Sequence, residues 1–244
     1  MAIAVRFVSV VVALACVAFA LFTLLSPRAF SQTYQPAAGV PSLTGPPVSG
    51  ADAPTALFVG DSYTAGALGI TPYQTFPRLT CNAIGLTCNL DGEGSTGYQA
   101  DGHTLSRRFR PYADRLAGDV ASYEADLVIV SGGRNDIGAP GSEYQAARGY
   151  FQAVRQAYPH ARLVVVEPFW TSKTPPLTVR RLRSDVRRAA HASGAIYLPT
   201  NGWLKQGSVA ADGVHPNREG HRQLAERLTT SLRASGALER LAGS

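Results

Sequence analysis

The sequence predicts a doubly wound α/β fold, a parallel sheet with helices on both faces. Two observations carry this. Short apolar runs without internal alternation recur along the chain, which is how strands buried on both faces read. Each run is followed by a longer segment with apolar residues at helical spacing, and strands alternating with helices close into a parallel sheet. With 244 residues, 45% of them hydrophobic, the chain can bury one substantial core and is far too apolar to be disordered.

Strands are expected at 56–60 (ALFVG), 86–90, 127–130 (LVIV), 163–166 (LVVV) and 195–198. Helices are expected in the main part of 63–84, 104–123, 142–158 and 176–193, with a last amphipathic helix over 217–234. In such a sheet, ligands gather at the carboxyl ends of the strands.

Ahead of this domain, residues 7–25 form a run without a charge. As a helix it would be about 28 Å long against roughly 30 Å of hydrocarbon, so it can span a bilayer. Arg6 precedes it, and no small-residue cleavage pattern follows at SPRAFSQ. Residues 1–30 therefore read as a signal anchor, with a cleaved signal peptide as second choice, and the bulk of the chain reads as extracytoplasmic. Residues 31–54, rich in Pro, Gly, Ser and Ala without apolar periodicity, read as a tether, leaving 55–244 as the folded domain. In an oxidising compartment Cys81 and Cys88 are expected to pair, which stabilises by about 2.5 kcal/mol in the chain-entropy model.

The formal charge is +6, and setting aside Arg6 and Arg28 at the flanks of the apolar run leaves +4. Much of it sits in VRRLRSDVRR, 179–188, where Leu182, Val186 and Ala189 recur at helical spacing and the arginines take the other faces. This reads as a solvated helix face. No aromatic or glycine pattern of a nucleic-acid module accompanies it, so no nucleic-acid partner is expected.

Three places near the strand ends carry chemistry. Ser62, in GDSYTAG, stands where the first strand gives way to a helix, with free N–H groups beneath its hydroxyl. Asn135, in SGGRNDIG, follows the third strand and offers a neutral amide donor suited to charge that develops only in a transition state. Asp212 and His215 fall in one loop, ADGVHPNREGH, before a proline-started helix. A carboxylate holding one imidazole nitrogen leaves the other free to take a hydroxyl proton, as a serine nucleophile needs. Read as metal ligands, the pair lacks a clear third or fourth partner. Trp170 and Trp203 flank the same rim, as packed aromatics or as walls for an acyl chain or sugar.

A further pattern points elsewhere. DGEGSTGY, 91–98, holds Gly92, Gly94 and Gly97 in the spacing G-x-G-x-x-G of a dinucleotide cradle, with Asp114 and Asp119 about twenty residues on. That would make a nicotinamide or flavin enzyme. However, the loop follows the second strand of the domain, and Asp101 and Gly102 stand where the cradle's helix should be running.

Together, FVGDSYTAG, SGGRNDIG and DGVHPNREGH resemble, in order, the first, third and fifth sequence blocks of the SGNH, or GDSL, hydrolase family, and the likeness covers the chain from Thr55 onward. The G-x-S-x-G elbow of the larger lipase fold is absent, because Ser62 is followed by Tyr63, Thr64 and Ala65. The resemblance implies a flavodoxin-like three-layer α/β/α fold around a five-stranded parallel sheet. It implies a carboxylic ester hydrolase that needs no cofactor and works through an acyl-enzyme, with Ser62 as nucleophile, His215 as general base and Asp212 as the carboxylate that orients it. The family's second block supplies one glycine N–H, which joins the Ser62 N–H and the Asn135 side chain in an oxyanion hole. Asn89 selects Gly94 for that role, with Gly97 as the fallback. The expected substrates are ester-bearing small molecules, lipids or envelope polysaccharides, and the domain is expected to be a monomer that meets the membrane only through its leader. An acyltransferase using the same three residues on a sugar acceptor is the alternative. A silent carbohydrate-binding domain is a further one, against which the intact residue set argues.

Overall fold

A computed structural model describes residues 53–102, 109–172, 174–239 and 241. The apolar run at 7–25 and nearly all of the tether at 31–54 lie outside the described residues. Strands β1 (Thr55–Gly60), β2 (Thr87–Gly92), β3 (Leu127–Ser131), β4 (Arg162–Val166) and β5 (Ile196–Leu198) form one parallel sheet in the order β2-β1-β3-β4-β5. Between and after them run α1 (Ser62–Ala65), α2 (Phe76–Ile84), α3 (Tyr112–Ser122), α4 (Glu143–Ala157), α5 (Leu177–Ala192) and α6 (Arg218–Ala234).

Continuous apolar strands have two buried faces, and both are filled here. Ala56, Phe58, Ile129 and Val164 point to one side, against Phe76 of α2 and Leu224 and Leu228 of α6. Leu57, Val59, Val128 and Val165 point to the other, against Tyr112 of α3, Phe151 of α4 and Val186 of α5. Burying a Leu, Val or Phe side chain contributes roughly 1.5–3 kcal/mol, so these alternating sets hold the three layers together. The fold is the expected α/β/α sandwich of layers.

Three local differences follow from turn chemistry and charge. The helix expected over 63–84 is broken into α1, a short 3-10 turn at Pro72–Gln74, and α2. Gly66, at φ 88°, ends α1 by returning its N–H to Ser62 O, and Pro72 and Pro77 start new turns because neither fits a helix interior. Of the helix expected at 104–123, only Tyr112–Ser122 is helical among the described residues, starting directly after Pro111. Finally, β2 continues past its last apolar residue to pair Val59 with Asp91 and Gly60 with Gly92.

The disulfide expected from sequence is present: Cys81 of α2 and Cys88 of β2 are bonded, their Cα atoms 5.9 Å apart. The basic run at 179–188 is a solvated face with one exception. Arg180, Arg181, Arg187 and Arg188 are exposed, whereas Arg183 is buried beside Glu167 at 3.2 Å and donates to Asn201 Oδ1 at 2.8 Å and Pro168 O at 3.0 Å. A buried guanidinium persists where a carboxylate and acceptor oxygens surround it.

Candidate active site

With β1 between β2 and β3, the turns that leave these three strands meet at one rim, the crevice where such sheets bind ligands. The first turn is held by Asp61. Its Oδ1 accepts the Tyr63 N–H at 2.9 Å and its carbonyl accepts from Thr64 and Ala65, both at 3.0 Å, which fixes Ser62 as the first residue of α1. Asp61 is itself buried, and burial pushes its carboxyl up to about 6. A Cβ on Gly92 would run into the backbone of Ala65, so α1 can lie against the end of β2 only because glycine stands there.

Asp212 and His215 come from the loop ahead of α6. Asp212 Oδ1 accepts the backbone N–H groups of Val214 at 3.0 Å and His215 at 3.1 Å, and its Oδ2 lies 2.6 Å from His215 Nδ1. On the other edge of the ring, His215 Nε2 lies 2.9 Å from Ser62 Oγ. The loop is closed by the Val209–Pro216 bridge and by Ala210 N–H on His215 O at 2.7 Å. Burial raises the Asp212 carboxyl, but the hydrogen bonds from the His215 ring and the two N–H groups together outweigh it and hold the group down at about 2. A permanent carboxylate keeps the ring proton on Nδ1, which leaves the Nε2 lone pair for the Ser62 hydroxyl.

The G-x-G-x-x-G strip supplies the third part. Gly94 is the glycine beside the serine: a Cβ built there would sit 4.0 Å from Ser62 Cβ. Among the described residues, neither its N–H nor that of Ser62 meets an acceptor. Gly97 is a correction to the fallback, because its N–H is already donated to Ala100 O at 3.0 Å and its Cα lies against the Asp136 carboxylate. Asn135 is exposed and donates one amide hydrogen to Thr96 O at 2.9 Å, and among the described residues the second meets no acceptor. The dinucleotide reading fails on the same ground that sequence raised. Among the described residues no helix opens directly after Gly97, and the next one starts at Tyr112, while Asp119 is buried against Asp91 and Arg115.

Several residues that shape the site were not singled out from sequence. Asp136 accepts three backbone N–H groups, from Tyr98, Gln99 and Ala100 at 2.9, 2.8 and 2.7 Å, and so fixes the strip next to Asn135. Arg115, 1% exposed, donates to Gly60 O at 3.0 Å and Asp91 Oδ1 at 2.8 Å beneath the nucleophile turn. His221 is buried with its Nδ1 accepting the Phe76 N–H at 3.1 Å, and burial lowers it to about 4, so it stays neutral and structural. Of the two tryptophans, Trp203 is packed into the core next to Phe169, whereas Trp170 is half-buried beneath the Arg134 guanidinium.

A three-layer sheet with a carboxylate, an imidazole and a serine hydroxyl in line at its carboxyl edge has the architecture of a hydrolase. Residues 58–223 match the model of the GDSL-like lipase/acylhydrolase family, and the chain belongs to that family. It is 30% identical over 184 residues to a GDSL lipase of Mycobacterium tuberculosis, a match that covers 70% of this chain and 78% of that protein. Among solved structures it resembles a carbohydrate acetylesterase from Sinorhizobium meliloti, with a TM-score of 0.60 at 18% identity over 74% of this chain and 99% of that one. It also resembles an active-site mutant of a family two carbohydrate esterase from Clostridium thermocellum in complex with cellohexaose, with a TM-score of 0.59 at 19% identity over 74% of this chain and 63% of that one. At these identities the two structures speak to the fold alone.

Proposed function

We propose that residues 55–244 form an extracytoplasmic carboxylic ester hydrolase, carried on the 31–54 tether behind a signal anchor at 1–30. The observation that carries it is the unbroken hydrogen-bonded line from Asp212 Oδ2 to His215 Nδ1 at 2.6 Å and from His215 Nε2 to Ser62 Oγ at 2.9 Å. As Ser62 Oγ attacks the acyl carbonyl carbon, its proton passes to His215 Nε2, and Asp212 stabilises the imidazolium that forms. The carbonyl oxygen becomes an oxyanion held by the N–H groups of Ser62 and Gly94 and by the free amide hydrogen of Asn135. His215 returns the proton to the departing alkoxide, leaving an acyl ester on Ser62. Water then attacks that ester by the same steps in reverse order, releasing the acid and restoring the serine.

The substrate reading is an acyl group carried on a cell-envelope glycan or lipid. It is supported by the carbohydrate-esterase neighbours, by the lipase relative, and by the exposure of Ser95 and Asn135 at the rim, which leaves room for a polymer. The test uses detergent-solubilised full-length protein and short nitrophenyl esters. Ser62→Ala and His215→Ala should each lose turnover by roughly 10⁴-fold or more with circular dichroism unchanged, and an organophosphate should label the wild type at Ser62. Ordinary turnover in either variant overturns the mechanism. The amino-terminal mass of protein recovered outside the cell separates a retained anchor from a cleaved signal.

A further inference from the structure

The residue directly after the nucleophile reaches across to the histidine loop. The Tyr63 ring is 5% exposed, stacks on Phe169 with centroids 5.8 Å apart, and leans against the His215 ring at the same centroid distance. Its hydroxyl donates to the carbonyl oxygen of Val214, which lies between Asp212 and His215 in the chain. Arg134 Nη1 donates to that hydroxyl at 3.3 Å, and the Arg134 guanidinium lies 4.4 Å over the Trp170 ring. One line of contacts therefore runs from the turn after β4, through the turn after β3, to the turn after β1, and ends on the histidine loop.

The position of that last contact gives it consequence. The bonds that shape the Asp212–His215 pair are internal to its loop or join it to residues at the start of α6. Among the described residues, the hydrogen bonds across the gap to the nucleophile turn are His215 to Ser62 and Tyr63 to Val214. A hydroxyl that accepts from a cation while donating to a carbonyl is polarised and becomes the stronger donor. Burial pushes the Tyr63 phenol up to about 12, so it keeps its proton wherever an esterase works.

We infer that Tyr63, backed by Arg134, is a positioning residue that holds the Val214 carbonyl and thereby sets the distance of His215 from Ser62. The inference rests on the hydrolase reading above. Breaking the brace lets the Asp212–His215 pair move as a unit, because that pair is bonded within its own loop. Proton transfer to Nε2 then suffers while the Asp212 contact survives.

The test is a double-mutant cycle in the full chain. Tyr63→Phe keeps the ring and its stacking and removes the hydroxyl, with its bond to Val214 and the one it accepts from Arg134, and Arg134→Met keeps an apolar stem over Trp170. Tyr63→Phe should lower kcat by about 10- to 100-fold with KM unchanged. Arg134→Met should give a smaller loss, and the double variant should be no worse than Tyr63→Phe alone, since Arg134 acts through the hydroxyl. Labelling of Ser62 by an organophosphate should slow in parallel, while the downfield proton resonance of the His215–Asp212 hydrogen bond persists. Additive losses in the double variant overturn the route through Tyr63, and a raised KM at constant kcat overturns the positioning role. If Tyr63→Phe lowers the melting temperature too far for assay, Arg134→Met, at the half-buried rim, tests the same brace by the same kcat criterion. A Ser62→Ala variant run alongside separates the failures: activity in it sinks the hydrolase reading. Silence there, with wild-type kcat in Tyr63→Phe, sinks the brace alone.

Discussion

The rim that holds Ser62, Gly94 and Asn135 and the loop that holds Asp212 and His215 meet across two hydrogen bonds, His215 to Ser62 and Tyr63 to Val214, yet their supports differ. The rim rests on buried charge: Asp61 and Asp136 are each 5% exposed and Arg115 1%, and all three side chains bond to backbone. The loop is exposed at Asp212 and Gly213, and the bonds that shape it are mainly its own. Chemistry explains the division. Donors for a developing oxyanion must be fixed before it forms, or reorganisation consumes their advantage, and buried supports hold the rim in that way. The exposed loop takes its position from the contacts that cross to the nucleophile turn. Stability and activity should therefore separate between the two regions.

The largest expected separation is Asp212→Asn. By analogy with other Ser-His-Asp sites, kcat should fall by roughly 10⁴-fold, because an amide no longer holds the imidazole in the correct tautomer. The melting temperature at neutral pH should fall only slightly, by the solvent-screened contribution of an exposed carboxylate. Cooperative unfolding of this variant under assay conditions would show that the loop carries the fold as the rim does.

Next come two glycine replacements, read by denaturant unfolding. In Gly97→Ala the new methyl overlaps the Asp136 carboxylate, which cannot step aside while it holds three backbone N–H groups, so a loss of about 3 kcal/mol is expected. Gly213→Ala meets nothing within 4 Å and carries only the strain of a φ of 69°, about 1 kcal/mol. Equal losses would erase the distinction between a packed rim and a free loop.

The same division marks what the sequence could disclose. The strands were legible because burial on both faces writes an unbroken apolar run, and β2 was misjudged at its end because Asp91 stays in the strand by pairing with Arg115. Ser62, Asn135 and the Asp212–His215 loop were legible because each lies in a short motif at a strand end or helix start. The supports were not, since their partners are distant: Arg115 finds Asp91 at a separation of 24 residues, and Tyr63 finds Val214 at 151. The choice between Gly94 and Gly97 also needed tertiary contacts, because spacing treats the two alike and only folding occupies the Gly97 N–H. Arg183 was hidden within a run whose other arginines are solvated, its partner Glu167 lying on a different element.

The smallest separation is in pH, where the carboxylates of the two regions should act with opposite sign. Burial pushes the Asp61 carboxyl of the rim up to about 6 in the folded chain, from an ordinary value of 3.8. Below about pH 4 it is protonated in both states and has no effect. Between about 4 and 6 the unfolded chain ionises while the folded one keeps its proton, so stability falls as pH rises, by on the order of 3 kcal/mol, and then levels. Asp119, raised to about 7 chiefly by burial, adds a loss of the same sign that extends to higher pH. Asp212, lowered to about 2, contributes stability that is present above about pH 4 and disappears as pH falls toward 2. Asp61→Asn keeps an N-cap side chain and removes the titration, so its unfolding free energy should fall less than the wild type's between pH 4 and 6. Asp212→Asn should flatten the curve only below pH 4. Parallel curves for Asp61→Asn and wild type across that window would mean that the rim carboxylate ionises freely, and the contrast between a buried rim and an exposed loop would lose its electrostatic half.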